Sequence, residues 1–188
     1  MQKNPTLMRL DPSTGLLDGA RQAPSPNCDA RPADCDIDLL VIHNISLPPG
    51  EFGGPHIESF FLNTLDPKAH PYFADICGMK VSAHLLIRRS GEILQFVPLH
   101  LRAWHAGESC FEGRTACNDF SIGIELEGSD DHPYEPEQYA ALAEVAHTLM
   151  AAYPKITPQR IAGHSDIAPG RKTDPGPSFD WERLRNLL

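Results

Sequence analysis

Leu39-Leu40-Val41-Ile42-His43-Asn44-Ile45 is the stretch that most narrows what this chain can fold into. It is a short apolar run of strand length. Its unbroken character, with no wet face to alternate with, predicts a strand covered on both sides. Strands of that kind belong to layered α/β domains, so the rest of the chain is read for elements that could cover this one.

Those elements are present. Val81-Ser82-Ala83-His84-Leu85-Leu86-Ile87 and Ile93-Leu94-Gln95-Phe96-Val97 predict two strands joined by a hairpin-type connection over Arg88–Glu92. Residues 120–127 predict another, ended by Gly128-Ser129-Asp130. Ile57, Phe60, Phe61 and Leu65 fall at helical spacing behind Pro55, a residue suited to an early helical position. Tyr139, Leu142, Ala143, Ala146, Leu149, Met150 and Tyr153 form one stripe of a long amphipathic helix framed by Pro136 and Pro154. Ile161-Ala162-Gly163-His164 reads as a strand end feeding a Pro/Gly-rich loop that runs to Gly176. Trp181, Leu184, Leu187 and Leu188 mark a closing helix, capped by Ser178 or Asp180. The expected architecture is a central mixed sheet flanked by helices, one domain over residues 37–188. Residues 1–36, which include Pro24-Ser25-Pro26-Asn27, are expected as an irregular lead-in packed on it.

Charge and composition exclude several functions. Lys and Arg number 16 against 25 Asp and Glu, a net −9 without a basic face, which disfavours nucleic acid and anionic membrane surfaces. No run of about 18 apolar residues could span a bilayer, and the first residues lack the basic and apolar regions of an export signal. The expectation is a cytoplasmic protein. Five cysteines, an odd number with no Cys-x-x-Cys pair, then read as reduced packing or surface thiols.

Among nine histidines, His43 closes a buried strand and His164 follows another, with Asp174 ten residues further on in a loop. Two imidazoles and one carboxylate leave a fourth position for water, the composition of a catalytic zinc site. Nine histidines offer many such triples, and spacing alone does not single this one out. A cysteine hydrolase built on Cys77 or Cys110 ranks last, because neither lies in a nucleophile motif.

Val41-Ile42-His43-Asn44, the Val81–Ile87 block and Arg102-Ala103-Trp104-His105-Ala106-Gly107 occur in that order. Ser121-Ile122-Gly123-Ile124-Glu125-Leu126-Glu127-Gly128 and the run from Ala162 to Gly176, which contains Gly170-Arg171-Lys172-Thr173-Asp174-Pro175-Gly176, follow them. Together these blocks resemble the zinc-dependent N-acetylmuramoyl-L-alanine amidases related to peptidoglycan recognition proteins and phage T7 lysozyme. Asn44–Gly54 and His70-Pro71-Tyr72-Phe73 resemble the cytoplasmic AmpD subfamily in particular. The resemblance spans roughly residues 24–182.

The resemblance implies a peptidoglycan recognition protein-like amidase fold and zinc held by His43, His164 and Asp174. It implies Glu125 as general base and Lys172 as stabiliser of the oxyanion. Alternation along 121–127 sets Ile122, Ile124 and Leu126 on one face and Gly123, Glu125 and Glu127 on the other, which suits that role for Glu125. Asn44, Tyr72, Lys80 and Trp104 are expected to touch substrate, Lys80 by pairing with peptide-stem carboxylates. His84 and His105 are expected behind the metal ligands, with His84 pointing into the cleft. The other five histidines (His56, His70, His100, His132 and His147) are expected to play no part. The implied reaction is hydrolysis of the amide between 1,6-anhydro-N-acetylmuramic acid and L-alanine in muropeptides. That step belongs to cell-wall recycling and so to the control of inducible β-lactamase. The implied partner is this small molecule, with a monomeric protein and no protein partner. The alternative is a muropeptide-binding module that does not cleave. All three ligand positions and Glu125 are present, which favours the enzyme.

Overall fold

The computed structural model describes residues 8–188. A six-stranded mixed sheet is built from β1 (Arg21–Gln22), β2 (Leu39–Ile45), β3 (Leu85–Ile87), β4 (Ile93–Gln95), β5 (Ser121–Glu127) and β6 (Ile161–Gly163). Their spatial order is β6-β2-β5-β3-β4-β1. Pairings are parallel from β6 through β2 and β5 to β3, antiparallel between β3 and β4, and parallel between β4 and β1. The helices are α1 (His56–Phe61), α2 (Pro71–Ile76), α3 (Pro136–Ala152), α4 (His164–Ile167) and α5 (Trp181–Leu187).

The apolar run does sit between two layers. Leu40 and Ile42 of β2 join Ile122, Ile124 and Leu126 of β5 in one cluster with Leu142, Val145 and Leu149 of α3. Leu39 and Val41 point the other way, into a cluster with Ala106, Cys117, Phe120, Ala162 and Ile167. Each large apolar side chain buried in this way contributes about 1.5–3 kcal/mol. Gln138, fully buried, ties α3 to the sheet by donating to the carbonyls of Ile87 and Glu127. Asp180 caps α5 by accepting the Arg183 N–H at 2.8 Å.

On the second face of the sheet, α1 and α2 pack over β3 and β4 through Ile57, Phe60, Phe61, Phe73 and Ile76. The segment 103–120 covers β2 and β6 on the same face. The gap between those two covers lies over the C-terminal halves of the parallel strands, where open α/β sheets place their ligands.

Several boundaries differ from expectation. The predicted strand over Val81–Ile87 is regular only from Leu85, because Ser82 N–H and His84 N–H go to the carbonyls of Trp104 and Gly123. The strand after the hairpin ends at Gln95. The first helix stops before Leu65, since Asn63 takes a left-handed backbone. Helices α2 and α4 were not anticipated. Residues 1–7 of the expected lead-in lie outside the described residues. From residue 8 onward the segment is more regular than expected. Leu10–Asp11 pairs with Leu16–Leu17, Cys28–Asp29 pairs with Arg102–Ala103, and β1 forms a sheet edge. The buried Gln95 side chain holds it there by accepting from Leu17 N–H and donating to the Gly15 carbonyl.

Candidate active site

Register places the first two groups. Glu125 of β5 is directly opposite His43 of β2, so both side chains leave the same face of the sheet near the strand ends. His164 follows β6 at the same level. Asp174 arrives on a loop lashed down by the Ser165 N–H to the Asp174 carbonyl and by Tyr134 Oη–H and Asn44 Nδ2–H to the Pro175 carbonyl. Gly163 makes room for that loop: a Cβ there would meet Pro175 at 2.8 Å.

Three donor atoms converge. His43 Nδ1 is 2.9 Å from His164 Nδ1, and each is 3.1 Å from Asp174 Oδ2. Their outward nitrogens have acceptors already: His43 Nε2 lies 2.9 Å from His105 Nδ1, and His164 Nε2 lies 3.1 Å from the Ala106 carbonyl. A proton on each Nε2 leaves both Nδ1 lone pairs and the carboxylate aimed at one point. Three lone pairs this close repel unless a proton or a metal cation lies between them. The separations suit a small divalent ion with bonds of about 2.0–2.2 Å. The residues therefore fit a metal of the zinc type.

Electrostatics agree with ligation. Burial pushes the His43 imidazole down to about 4, so it is neutral at ordinary pH. Burial works against ionisation of Asp174, but hydrogen bonding from His164 and His43, wherever an Nδ1 carries the proton, holds the carboxyl well below the usual range.

Behind His43 the polar column continues. The ring of His105 donates from Nε2 to Ser121 Oγ at 3.1 Å, and that hydroxyl donates to the Cys117 carbonyl at 2.6 Å. Burial keeps His105 neutral, with a pKa well below its ordinary value. Gly123 is what admits the ring against β5, since a Cβ there would lie 2.5 Å from it.

The site opens into a cleft of about 660 Å³, lined among others by Asn44, Tyr72, Trp104, Glu125, Arg171 and Lys172. Burial raises the Glu125 carboxyl well above its ordinary value, the Asp174 charge raises it further, and the Lys172 ammonium opposes both. Glu125 Oε2 and Trp104 Nε1 are buried polar atoms without a hydrogen-bond partner, and both belong to residues lining the cleft. Polar atoms left unpaired at such a place are where a ligand completes the bonding.

Not every anticipated residue falls where it was expected. His84 is fully buried and does not point into the cleft. Its Nδ1 accepts the Gly123 N–H at 3.0 Å, its Nε2–H faces the Leu101 carbonyl at 3.1 Å, and its ring packs on His105. Irregular pairing before Leu85 breaks the alternation that would have turned it outward. The Asn44 side-chain amide is spent on Asp130 and the Pro175 carbonyl, so it braces the loops around the site. Lys80 is exposed between Met79 and Val81, which line the cleft, while Lys80 does not. Tyr72, exposed at the rim, stands on α2, whose first turn is capped by His70 Nδ1 accepting the Tyr72 N–H. None of the five histidines expected outside the site lines the cleft.

Sequence reasoning missed Arg171, which donates to the Ala106 and Glu108 carbonyls and lines the cleft beside Lys172. Its place in the same loop run as Asp174 was the available signal. Asn118 was missed as well; its side chain accepts the N–H groups of His105 and Ala106. Arg31, from the lead-in, carried no signal at all.

Known proteins resemble this chain in sequence and fold. The 1,6-anhydro-N-acetylmuramyl-L-alanine amidase AmpD of Escherichia coli K12 is 60% identical over 174 residues, spanning 93% of this chain and 94% of that protein. The crystal structure of a selenomethionine AmpD derivative superposes with a TM-score of 0.93 at 59% identity, covering 96% of this chain and 99% of that one. E. coli AmiD, solved in complex with the substrate anhydro-N-acetylmuramic acid-L-Ala-D-γ-Glu-L-Lys, has a TM-score of 0.60 at 32% identity, covering 84% of this chain and 60% of that one. The sequence profile of the N-acetylmuramoyl-L-alanine amidases matches residues 33–177, and this chain belongs to that family.

Proposed function

We propose that this chain is a zinc amidase that hydrolyses the bond between 1,6-anhydro-N-acetylmuramic acid and L-alanine in muropeptides released during wall turnover. The observation that carries the reading is the convergence of His43, His164 and Asp174 beside a buried, unpartnered Glu125 carboxylate at the floor of an open cleft. Relatives at about 60% identity over nearly the full chain, named for the 1,6-anhydro amide, supply the substrate class.

His43, His164 and Asp174 would hold the zinc. Bound there, the metal supplies Lewis acidity, polarising the scissile carbonyl and making water a better proton donor and nucleophile. The chain's own groups do the rest. Glu125, as a carboxylate, takes the proton of the attacking water. Its raised pKa makes it a stronger base than an ordinary glutamate and lets it hold that proton until the departing L-alanine amine collects it. Lys172 supplies a cation for the negative charge that develops on the carbonyl oxygen. Trp104 and Tyr72 offer flat faces on the cleft wall for the sugar and the start of the stem. Lys80, exposed between the cleft-lining Met79 and Val81, is available to the carboxylate-bearing part of the peptide.

In this reading the enzyme works as a monomer in the cytoplasm, and clearance of the anhydro-muropeptide also removes the signal that induces β-lactamase. Among the described residues no helix is long and apolar enough to cross a membrane. The test is zinc-loaded protein offered anhydro-muropeptide and intact sacculi side by side. Release of stem peptide should be faster from the soluble muropeptide. Faster cleavage of sacculi contradicts the recycling assignment, and no cleavage of either contradicts the enzyme.

A further inference from the structure

Arg31 reaches under the site from the N-terminal segment, where the mechanism makes no use of it. Its Nη1 donates to the carbonyls of Asn118 (3.0 Å) and Asp119 (2.9 Å), and its Nη2 to those of Ser121 (2.9 Å) and Leu99 (3.3 Å). Nη2 also touches His84 Nε2 at 3.1 Å. Among the described residues no carboxylate pairs with the guanidinium. Burial lowers its pKa to about 10, so it remains charged at neutral pH. A largely desolvated cation held by carbonyls is costly to place there, and it pins three residues of one short turn to the loop at Leu99.

That turn holds in place the two groups that accept from the ligand imidazoles. Ser121 Oγ accepts from His105, whose Nδ1 accepts from the outward nitrogen of His43. The Asn118 side chain accepts the N–H groups of His105 and Ala106, and the Ala106 carbonyl accepts from the outward nitrogen of His164. Each ligand keeps its Nδ1 lone pair free only while its Nε2 proton has an acceptor. We propose that Arg31 is a positioning residue for the metal site, its forked donors holding the 118–121 turn so that His43 and His164 stay in the ligating tautomer. A lysine cannot replace it, because one ammonium cannot span four carbonyls on two segments.

This inference rests on the zinc reading above, and its test keeps the two apart. Zinc dissociation constants are measured by competition with a chelating indicator for wild type, Arg31→Lys, Arg31→Gln and the core variant Leu142→Ala. Imidazole tautomers are read on metal-free protein by long-range ¹⁵N–¹H correlation. Zinc should bind both Arg31 variants about 10–100-fold more weakly, the range for losing an outer partner of a metal ligand. His105 should lose its purely Nε2–H form in them, while Leu142→Ala changes neither. Arg31 variants that lose thermal stability but keep wild-type zinc affinity and tautomers overturn the inference alone. Wild type that binds no zinc overturns the function and the inference together. Should neither Arg31 variant fold, wild type still decides: His105 protonated on Nε2 supports the proposal, and protonation on Nδ1 overturns it.

Discussion

Ile122, Ile124 and Leu126 on one face of β5 pack under α3, while Ser121, Gly123, Glu125 and Glu127 on the other face carry polar contacts and the cleft. The apolar face needs only shape and volume. The polar face needs a partner for every buried donor and acceptor, since an unpaired one costs about 1–3 kcal/mol. Ser121 and Glu127 satisfy that demand, Glu127 by accepting from Arg88, the Arg89 N–H and the Gly53 N–H. Gly123 makes room for His105. Glu125 alone of the four has an oxygen left over, and it faces the cleft. One strand thus separates stability from chemistry, residue by residue.

Substitutions can break that separation. Asp174→Ala, on the polar side, should remove the metal and the activity together, leaving zinc content after dialysis far below one per chain. Retained stoichiometric zinc would remove Asp174 from the ligand set. On the apolar side, Leu142→Ala should lower unfolding free energy by about 2–5 kcal/mol while turnover per folded molecule stays at wild type. A specific loss of turnover there would mean that the two faces are coupled.

Gly123→Ala tests the boundary between them. Its new Cβ forces the His105 ring away, so zinc affinity should fall about tenfold, with a smaller loss of stability than in Leu142→Ala. Lys172→Met should have the mildest signature of this set in the pH profile. The Lys172 ammonium favours ionised Glu125, so removing it raises the Glu125 pKa. The acid limb of kcat/KM, where activity falls as Glu125 takes up a proton, should move to higher pH. A limb that stays put or moves lower separates Lys172 from Glu125.

The apolar face was readable from period and run length: the buried strand at Leu39–Ile45, the stripe of α3 and the alternation of β5 all follow from local spacing. On the polar face, His43, His164, Asp174 and Glu125 were legible because they sit at strand ends or in motif blocks. What lay beyond reading was whatever depends on a distant segment. Arg31 is 87 residues from the Asn118 carbonyl that it holds. His84 follows an alternating pattern whose pairing does not begin until Leu85, so its side chain turns inward instead of to the cleft. Local pattern names the face of an element but cannot say which face a loop from elsewhere will cover.

The central claim is that Glu125 performs the proton transfers at a metal site assembled by other residues. Glu125→Gln preserves shape, removes the base and leaves His43, His164 and Asp174 intact. Measured together on one preparation, zinc content and turnover of anhydro-muropeptide should separate: one zinc per chain retained, and kcat lower by about 10²–10⁴-fold. Wild-type turnover in that zinc-loaded variant would contradict the account.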